Sequence, residues 1–354
     1  MLKVVLLTDV AVWESEWINV LLAEFPEVKW LPYNAQVPMK DYALYVYNSD
    51  SALSLSPEIL SGITKLKGAG LLHLGDEYLR SSLLDYAHFS YVVRMYSFSK
   101  TVTPGVLTIP IGPTPKLGPA SSKPASRRKH TWMFAGDWKS DRSAMADQFT
   151  TWDKGLFSMP MPYNDAERLS RQDYLTGMSE TAFAPCPAGN IVLETCRPYE
   201  ALHFGAIPLM PRRKRMDPYR SLFGDHPLPT FENWKSAYRF ARELYAKPDE
   251  MDALQTKCIN WWQSTKSELA TNVKSFIEDG QTGTFRKALQ ERFSGQAIGK
   301  IDRARELLAH QNRYQFQSRI AFRAKKAARF LSGSGTAKPT WSLVQNDTEK
   351  PTEP

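Results

Sequence analysis

The sequence predicts an α/β protein made of two tandem parallel-sheet units followed by helices. Three observations carry this. Short apolar runs of strand length alternate with stretches of helical periodicity. A segment rich in Pro, Ser, Gly and Lys, Gly112–His130, divides that alternation into two series. Beyond Pro229 the pattern becomes helical as far as about Glu291.

The first series opens with Lys3–Thr8 (KVVLLT), whose apolar run Val4–Leu7 suits a buried strand. Glu14–Glu24 follows, with Trp17, Ile18, Val20, Leu21 and Leu22 in a helical pattern. VKWLPY and Tyr42–Asn48 read as strands, Pro57–Leu66 as a helix, and Gly70–Leu74 as a strand ending in Gly75-Asp76-Glu77. Tyr91–Tyr96 and Val106–Ile111 complete the unit. The second series runs Thr131–Ala135 (strand), Asp141–Trp152 (helix), Leu156–Met159 (short strand), Asp165–Ser179 (helix) and Thr181–Pro185 (strand). It closes with Thr195–Phe204 (helix) and Ala206–Met210 (strand). Strands alternating with crossover helices form parallel sheets. The expected organisation is therefore a first domain at 1–112, a linker at 113–130, and a second domain at 131–295. A basic helical segment at 296–331 and a tail of disordered composition at 332–354 follow. The basic triplet Arg127–Lys129 reads as a solvated linker end.

Composition narrows the function classes. Of 354 residues, 42% are hydrophobic and 23% charged, ordinary values for a folded globular chain. No apolar run reaches the roughly 18 residues of a membrane-spanning helix, and Asp9 interrupts the first one, so neither a signal peptide nor an anchor is expected. The three cysteines, Cys186, Cys196 and Cys258, form no CxxC, which fits buried thiols in a reducing compartment. No HExxH or His/Cys zinc spacing occurs, so no metal site and no cofactor are expected. The formal net charge of +8 is concentrated at 303–331, which holds eight Arg or Lys and one acid, Glu306. The rest is nearly neutral, unlike a nucleic-acid binder with a charged folded face.

The densest chemical signal is Ala182–Met210, AFAPCPAGNIVLETCRPYEALHFGAIPLM. It reads as a strand, a Pro- and Gly-containing loop, a helix N-capped by Thr195 with Pro198 in its first turn, Gly205 as its C-cap, and a second strand. Loop amides and a helix N-terminus favour an anion. Arg197 adds a guanidinium that can grip phosphate oxygens. Glu200, three residues on, shares that helix face and can accept hydrogen bonds from a ribose diol. Phosphate donors beside a diol acceptor suit a nucleotide; by spacing alone, the two residues also make an ordinary surface ion pair.

This stretch resembles the signature of exostosin-like glycosyltransferases, nearest the ribitol xylosyltransferase-like branch and its bacterial relatives. The matching elements are CPAGN, ETCRPYEAL and GAIPL. LLHLGDE, YVVRMY, TIPIG and TWMFAGDWKSDR resemble upstream family segments in the same order, so the likeness covers about residues 70–230. It implies a GT-B fold, two Rossmann-like domains facing a cleft, and an inverting, metal-independent transferase. The donor is then a nucleotide-sugar, a UDP-sugar by expectation, and the acceptor a glycan or lipid-linked glycan. By the same resemblance Arg142 and Arg197 contact the diphosphate, Glu200 the ribose, Gly189 and Asn190 the pyrophosphate or sugar loop, and Glu194 the donor sugar. Ile191–Leu193 is more apolar than the family pattern. Eukaryotic members usually carry a membrane anchor that is not expected here, so a Golgi location is not inherited; the expected location is cytoplasmic, with peripheral contact at the inner membrane face as the variant the basic segment allows.

Inversion needs a general base on the first domain. Asp76 and Glu77 follow a strand whose carboxyl end should face the ligand crevice, and both are candidates. GDE also reads as a helix cap. His73 lies inside its strand and reads as packed, whereas Arg94 suits either the cleft or a structural ion pair. No Asp-x-Asp tripeptide, GxGxxG after a strand, Walker loop or GxSxG is present, which disfavours metal-bridged transfer, dehydrogenases, P-loop enzymes and hydrolases. Residues 303–331 suit an anionic membrane surface or packing on the first domain equally, with an anionic glycan acceptor as a third reading. No nucleic-acid partner is expected; a catalytically silent nucleotide- or glycan-binding protein is the alternative.

Overall fold

Eleven strands form two parallel sheets in a computed structural model that describes residues 1–8, 12–33, 39–48, 54–138, 141–159, 168–214, 217–295 and 298–309. The first sheet contains β1 (Leu2–Leu6), β2 (Val28–Pro32), β3 (Leu44–Asn48), β4 (Gly70–Leu74), β5 (Tyr91–Met95) and β6 (Val106–Ile109), in the order β2-β1-β3-β4-β5-β6. Every residue of β3, β4 and β5 is buried, as parallel strands covered on both faces require. Helix α1 (Val12–Leu21) lies between β1 and β2, and α2 (Pro57–Thr64) precedes β4. Ser56 caps α2 by accepting the Ile59 N–H, with Pro57 in the first turn.

The second sheet repeats the scheme. β7 (His130–Ala135), β8 (Leu156–Ser158), β9 (Thr181–Pro185), β10 (Ile207–Pro211) and β11 (Thr230–Phe231) take the order β11-β10-β9-β7-β8. Helices α3 (Arg142–Phe149), α4 (Arg171–Ser179), α5 (Arg197–Phe204), α6 (Pro218–Phe223) and α7 (Trp234–Tyr245) connect these strands and follow them. Strand order reverses between β1 and β3 in one sheet and between β7 and β9 in the other. Such reversals open crevices at the carboxyl ends of the strands, where ligands bind in open α/β sheets.

The two lobes are joined by one long helix, α8 (Pro248–Gln281). It starts beside the second sheet and ends on the first, and α9 (Arg286–Phe293) then packs on the 3-10 turn Leu83–His88 of the first lobe. The helices before residue 295, expected with the second domain, are thus shared between lobes. Periodicity gives a helix's apolar face but not the sheet it will cover. Trp262 of α8 is the joint: its ring stacks 5.9 Å from Trp17 of α1 and lies tilted 5.3 Å from Tyr199 of α5. Further along, Tyr91 fills a slot between Gly70 and Gly280, where a Cβ would come within 2.0 and 2.4 Å of its side chain.

Of the basic triplet at the linker end, Arg127 and Lys129 are exposed as expected, but Arg128 is an anchor. Arg128 is buried and donates to the carbonyls of Lys123, Thr181 and Phe204 at 3.0, 2.9 and 2.8 Å. Three carbonyls converging on one guanidinium offset the cost of drawing a cation inside; burial lowers its pKa to about 10. Of the basic segment, α10 (Lys300–Ala309) is described, and Ser99 of the first lobe donates both its N–H and its hydroxyl to Glu306. The remainder of the segment and the 332–354 tail lie outside the described residues. Among the described residues no helix is long and apolar enough to cross a membrane.

Candidate active site

The site is built where the second sheet reverses. β9 ends at Pro185, and the loop that follows is tight: the Gly189 N–H donates to Val192 O at 2.9 Å. Asp141, just before α3, clamps it by accepting from the Ala188 N–H at 3.1 Å and from Trp234 Nε1 at 3.0 Å. The loop delivers α5, whose cap residue is Cys196 and not Thr195, with Pro198 in the first turn. Gly205 ends the helix in the left-handed region at φ 70°, which a residue without Cβ adopts freely.

A cavity of about 650 Å³ opens between the end of β7, α4 and the start of α5. Arg142 and Arg197 converge in it. Their guanidinium carbons lie 5.5 and 4.4 Å from the centre of the Phe134 ring, and a Cβ on Gly136 would meet Arg142 Nη1 at 3.1 Å and Arg197 Nη2 at 3.0 Å. Each is steered by one carbonyl: Arg142 donates to Asp137 O at 2.8 Å, and Arg197 to Ala135 O. Burial and then the neighbouring Arg197 charge lower the Arg142 pKa to about 9. The Nε atoms of both arginines and the Thr195 hydroxyl are buried without a hydrogen-bond partner. Buried donors are normally satisfied, so the unpaired nitrogens add to the cost of holding two like charges together at the wall of this cavity. Arg168 and Arg171 also line the cavity; Arg168 pairs with Asp137 at 2.8 Å.

Glu200 borders the same cavity one turn into α5 and accepts hydrogen bonds from Thr114 and Tyr174. A carboxylate has about four lone-pair sites, so acceptor capacity remains beyond these two hydroxyls. Arg142, Arg197 and Glu200 therefore share one cavity. Their environment includes residues the sequence pattern does not single out, above all Thr114 in the linker and Tyr174 in α4.

The other expected residues lie elsewhere. Glu194 does not line the cavity: it is buried, accepting from the Ile111 N–H at 2.9 Å and from the Tyr199 hydroxyl, and so ties the lobes together. Burial raises its pKa to about 7, against the lowering effect of those two donors. Gly189 and Asn190 sit at the lobe boundary, where Glu77 accepts from Asn190 Nδ2 at 2.9 Å and from the Ile191 N–H at 2.8 Å. Glu77 thus reaches from one carboxyl-end crevice to the other, and its charge bears on Arg142. Asp76, its neighbour, turns inward. Its side chain is fully buried, with Arg94 Nη2 at 3.4 Å and the amides of Arg80 and Ser81 at 2.6 and 3.1 Å. A carboxylate so enclosed cannot meet an acceptor, which corrects the pairing of Asp76 with Glu77 as bases. His73 is packed, its Nδ1 2.5 Å from the Tyr86 hydroxyl, and Arg94 is internal.

A further carboxylate has no counterpart among the residues the sequence pattern points to. Glu14, in the first turn of α1 at the reversal of the first sheet, is buried and accepts from Asn48 Nδ2 at 2.9 Å. Its only signal in the sequence is its position at the start of the helix after β1. Among the described residues no group of three or more His, Cys, Asp or Glu could hold a metal ion.

No family model matches this sequence. No curated protein matches it either. Solved structures do. An alpha-glucosyltransferase (AGT) in complex with UDP superposes with a TM-score of 0.50 at 12% identity, over 78% of this chain and 99% of that one. An alpha1,3-fucosyltransferase with GDP gives 0.49 at 10% identity, over 79% and 90%. T4 phage BGT with its UDP-glucose substrate gives 0.43 at 14% identity, over 78% and 99%.

The fold is of the GT-B type. At these identities the likeness is one of architecture and does not single out the exostosin-like branch.

Proposed function

We propose that this chain is a glycosyltransferase that takes a sugar from a nucleoside-diphosphate donor, held in the second lobe, to an acceptor in the gap between lobes. One observation carries the reading: the guanidinium groups of Arg142 and Arg197 converge over Phe134 in one cavity, with the Glu200 carboxylate at its border. A diphosphate matches the paired guanidinium charges, and a ribose diol supplies donors to Glu200. The AGT structure of the same fold was solved with UDP, which supports a uridine nucleotide as the first donor to test.

In this reading an acceptor hydroxyl attacks the anomeric carbon while the carbon–oxygen bond to the β-phosphate breaks. The bonding pair leaves with the nucleoside diphosphate. Arg142, Arg197 and the α5 N-terminus offset the growing charge, which makes them the principal electrostatic element. Glu77, on the opposite lobe, takes the acceptor proton, so attack comes from the face away from the leaving group and configuration inverts. Asp76 is left out of this chemistry because it is enclosed.

The acceptor proposed is a glycan or lipid-linked glycan of cell-surface polysaccharide assembly, with the basic segment near an anionic membrane. Another structure of this architecture was solved with UDP and DNA containing a modified base, so DNA belongs in the acceptor screen. The test is release of UDP from UDP-sugars by the wild-type chain, with and without EDTA. Turnover that survives EDTA and fails in Arg197→Ala supports the proposal. Absence of UDP binding and of turnover for UDP- and GDP-sugars refutes it and leaves the silent binding protein.

A further inference from the structure

The loops after β4 and β5 carry unusual backbone. Asp76 (φ 71°), Leu79 (φ 47°) and Tyr96 (φ 62°) are left-handed although none is glycine. Such residues persist only where their surroundings hold them, and they cluster at functional sites. What holds two of these turns is one side chain, Arg94 of β5, which is fully buried. Its Nε donates to the carbonyls of Met95 and Tyr96 at 3.1 and 3.0 Å, its Nη1 to the Tyr86 hydroxyl at 2.9 Å, and its Nη2 to Asp76 Oδ2 at 3.4 Å. Asp76 Oδ1 in turn binds the amides of Arg80 and Ser81. One guanidinium thus fixes the β4 loop, the β5 loop and the 3-10 turn beneath them.

A buried ion pair is weak evidence for stability, because desolvation offsets most of its attraction. Its value here is directional. Asp76 faces inward, so Glu77, the next residue, projects to the opposite lobe and meets Asn190 and Ile191.

We infer that Arg94 and Asp76 are positioning residues: through the left-handed turn at Asp76 they aim the Glu77 carboxylate across the gap at the 189–191 loop. The inference rests on the proposed role of Glu77 for its catalytic consequence, but its geometric content stands apart. Lysine at 94 keeps the charge for Asp76 but cannot reach two carbonyls and the Tyr86 hydroxyl as a planar fork does.

The experiment uses the full chain with Arg94→Lys, Asp76→Asn, Glu77→Gln and the two doubles that combine Glu77→Gln with each of the others. The first readout is hydrogen exchange of the Ile191 amide by NMR, which needs no substrate. It should quicken at least tenfold in Arg94→Lys and Asp76→Asn, with UDP affinity by calorimetry within threefold of wild type. The second is UDP release from UDP-glucose or the best donor of the screen. Each single variant should lose tenfold or more in kcat with little change in KM, and each double should be within twofold of Glu77→Gln. An Ile191 amide that keeps its protection in both folded variants overturns the inference, as do losses that multiply in full in the doubles. If Arg94→Lys does not fold, Asp76→Asn, nearly isosteric, decides on the same criteria. A wild-type chain that neither binds UDP or GDP nor turns over defeats the glycosyltransferase reading, while Ile191 exchange still decides the positioning claim.

Discussion

Arg142 and Arg197 share one aromatic platform, with their guanidinium groups 5.5 and 4.4 Å from the centre of the Phe134 ring. They arrive from different elements, the starts of α3 and α5, and meet only because β7 and β9 are neighbours in the sheet. Cation–π contact lets each charge sit on an apolar surface while one nitrogen is held by a carbonyl. Two like charges brought together and partly desolvated are poised for an anion.

Removing either guanidinium should weaken nucleotide binding. Arg197→Ala and Arg142→Ala are each expected to cost about 1.5–3 kcal/mol in UDP affinity, the range for hydrogen bonds to charged groups. Calorimetry measures the loss, and an unchanged thermal midpoint separates it from unfolding.

Glu200 should report on the ribose alone. Glu200→Ala is expected to weaken UDP by roughly tenfold or more while leaving inorganic pyrophosphate unchanged, since a carboxylate accepts from hydroxyls and has no attraction for phosphate. Competition between the two ligands checks this. Equal losses for both would remove the ribose assignment.

Glu194 makes the lobe contact pH-sensitive. Its carboxyl is raised from 4.5 to about 7 by burial. As pH rises from 4.5 the unfolded chain ionises first and binds fewer protons than the folded one, so this group's contribution to stability falls until about pH 7. The ceiling is about 3 kcal/mol, since each tenfold change in an ionisation constant is worth about 1.4 kcal/mol. Urea unfolding of wild type against Glu194→Gln should show wild type losing ground across that window and running parallel above it.

Trp262→Ala should strike both lobes at once. The indole is buried between Trp17 and Tyr199, and deleting a buried tryptophan costs about 3–5 kcal/mol. A lowered urea midpoint by both fluorescence and circular dichroism is the expected result.

Much of this is legible in the residues. The buried strands are short apolar runs, and the spacing of Arg197 and Glu200 places them on one helix face. Other features depend on the fold. Thr114 and Tyr174 lie 86 and 26 residues from Glu200, a distance no local pattern bridges. Asp76 and Glu77 look equivalent in GDE, and the left-handed turn at Asp76 (φ 71°) sends one inward and the other across the gap. Glu194 follows three apolar residues that themselves pack into the interior, which draws its carboxylate in after them.

The central claim concerns where a nucleoside diphosphate lies. A crystal of the chain grown with UDP, or with GDP if it binds more tightly, tests it most directly. The account predicts the diphosphate between Arg142 and Arg197 and the ribose hydroxyls on Glu200. A nucleotide bound elsewhere, with this cavity unchanged, would contradict it.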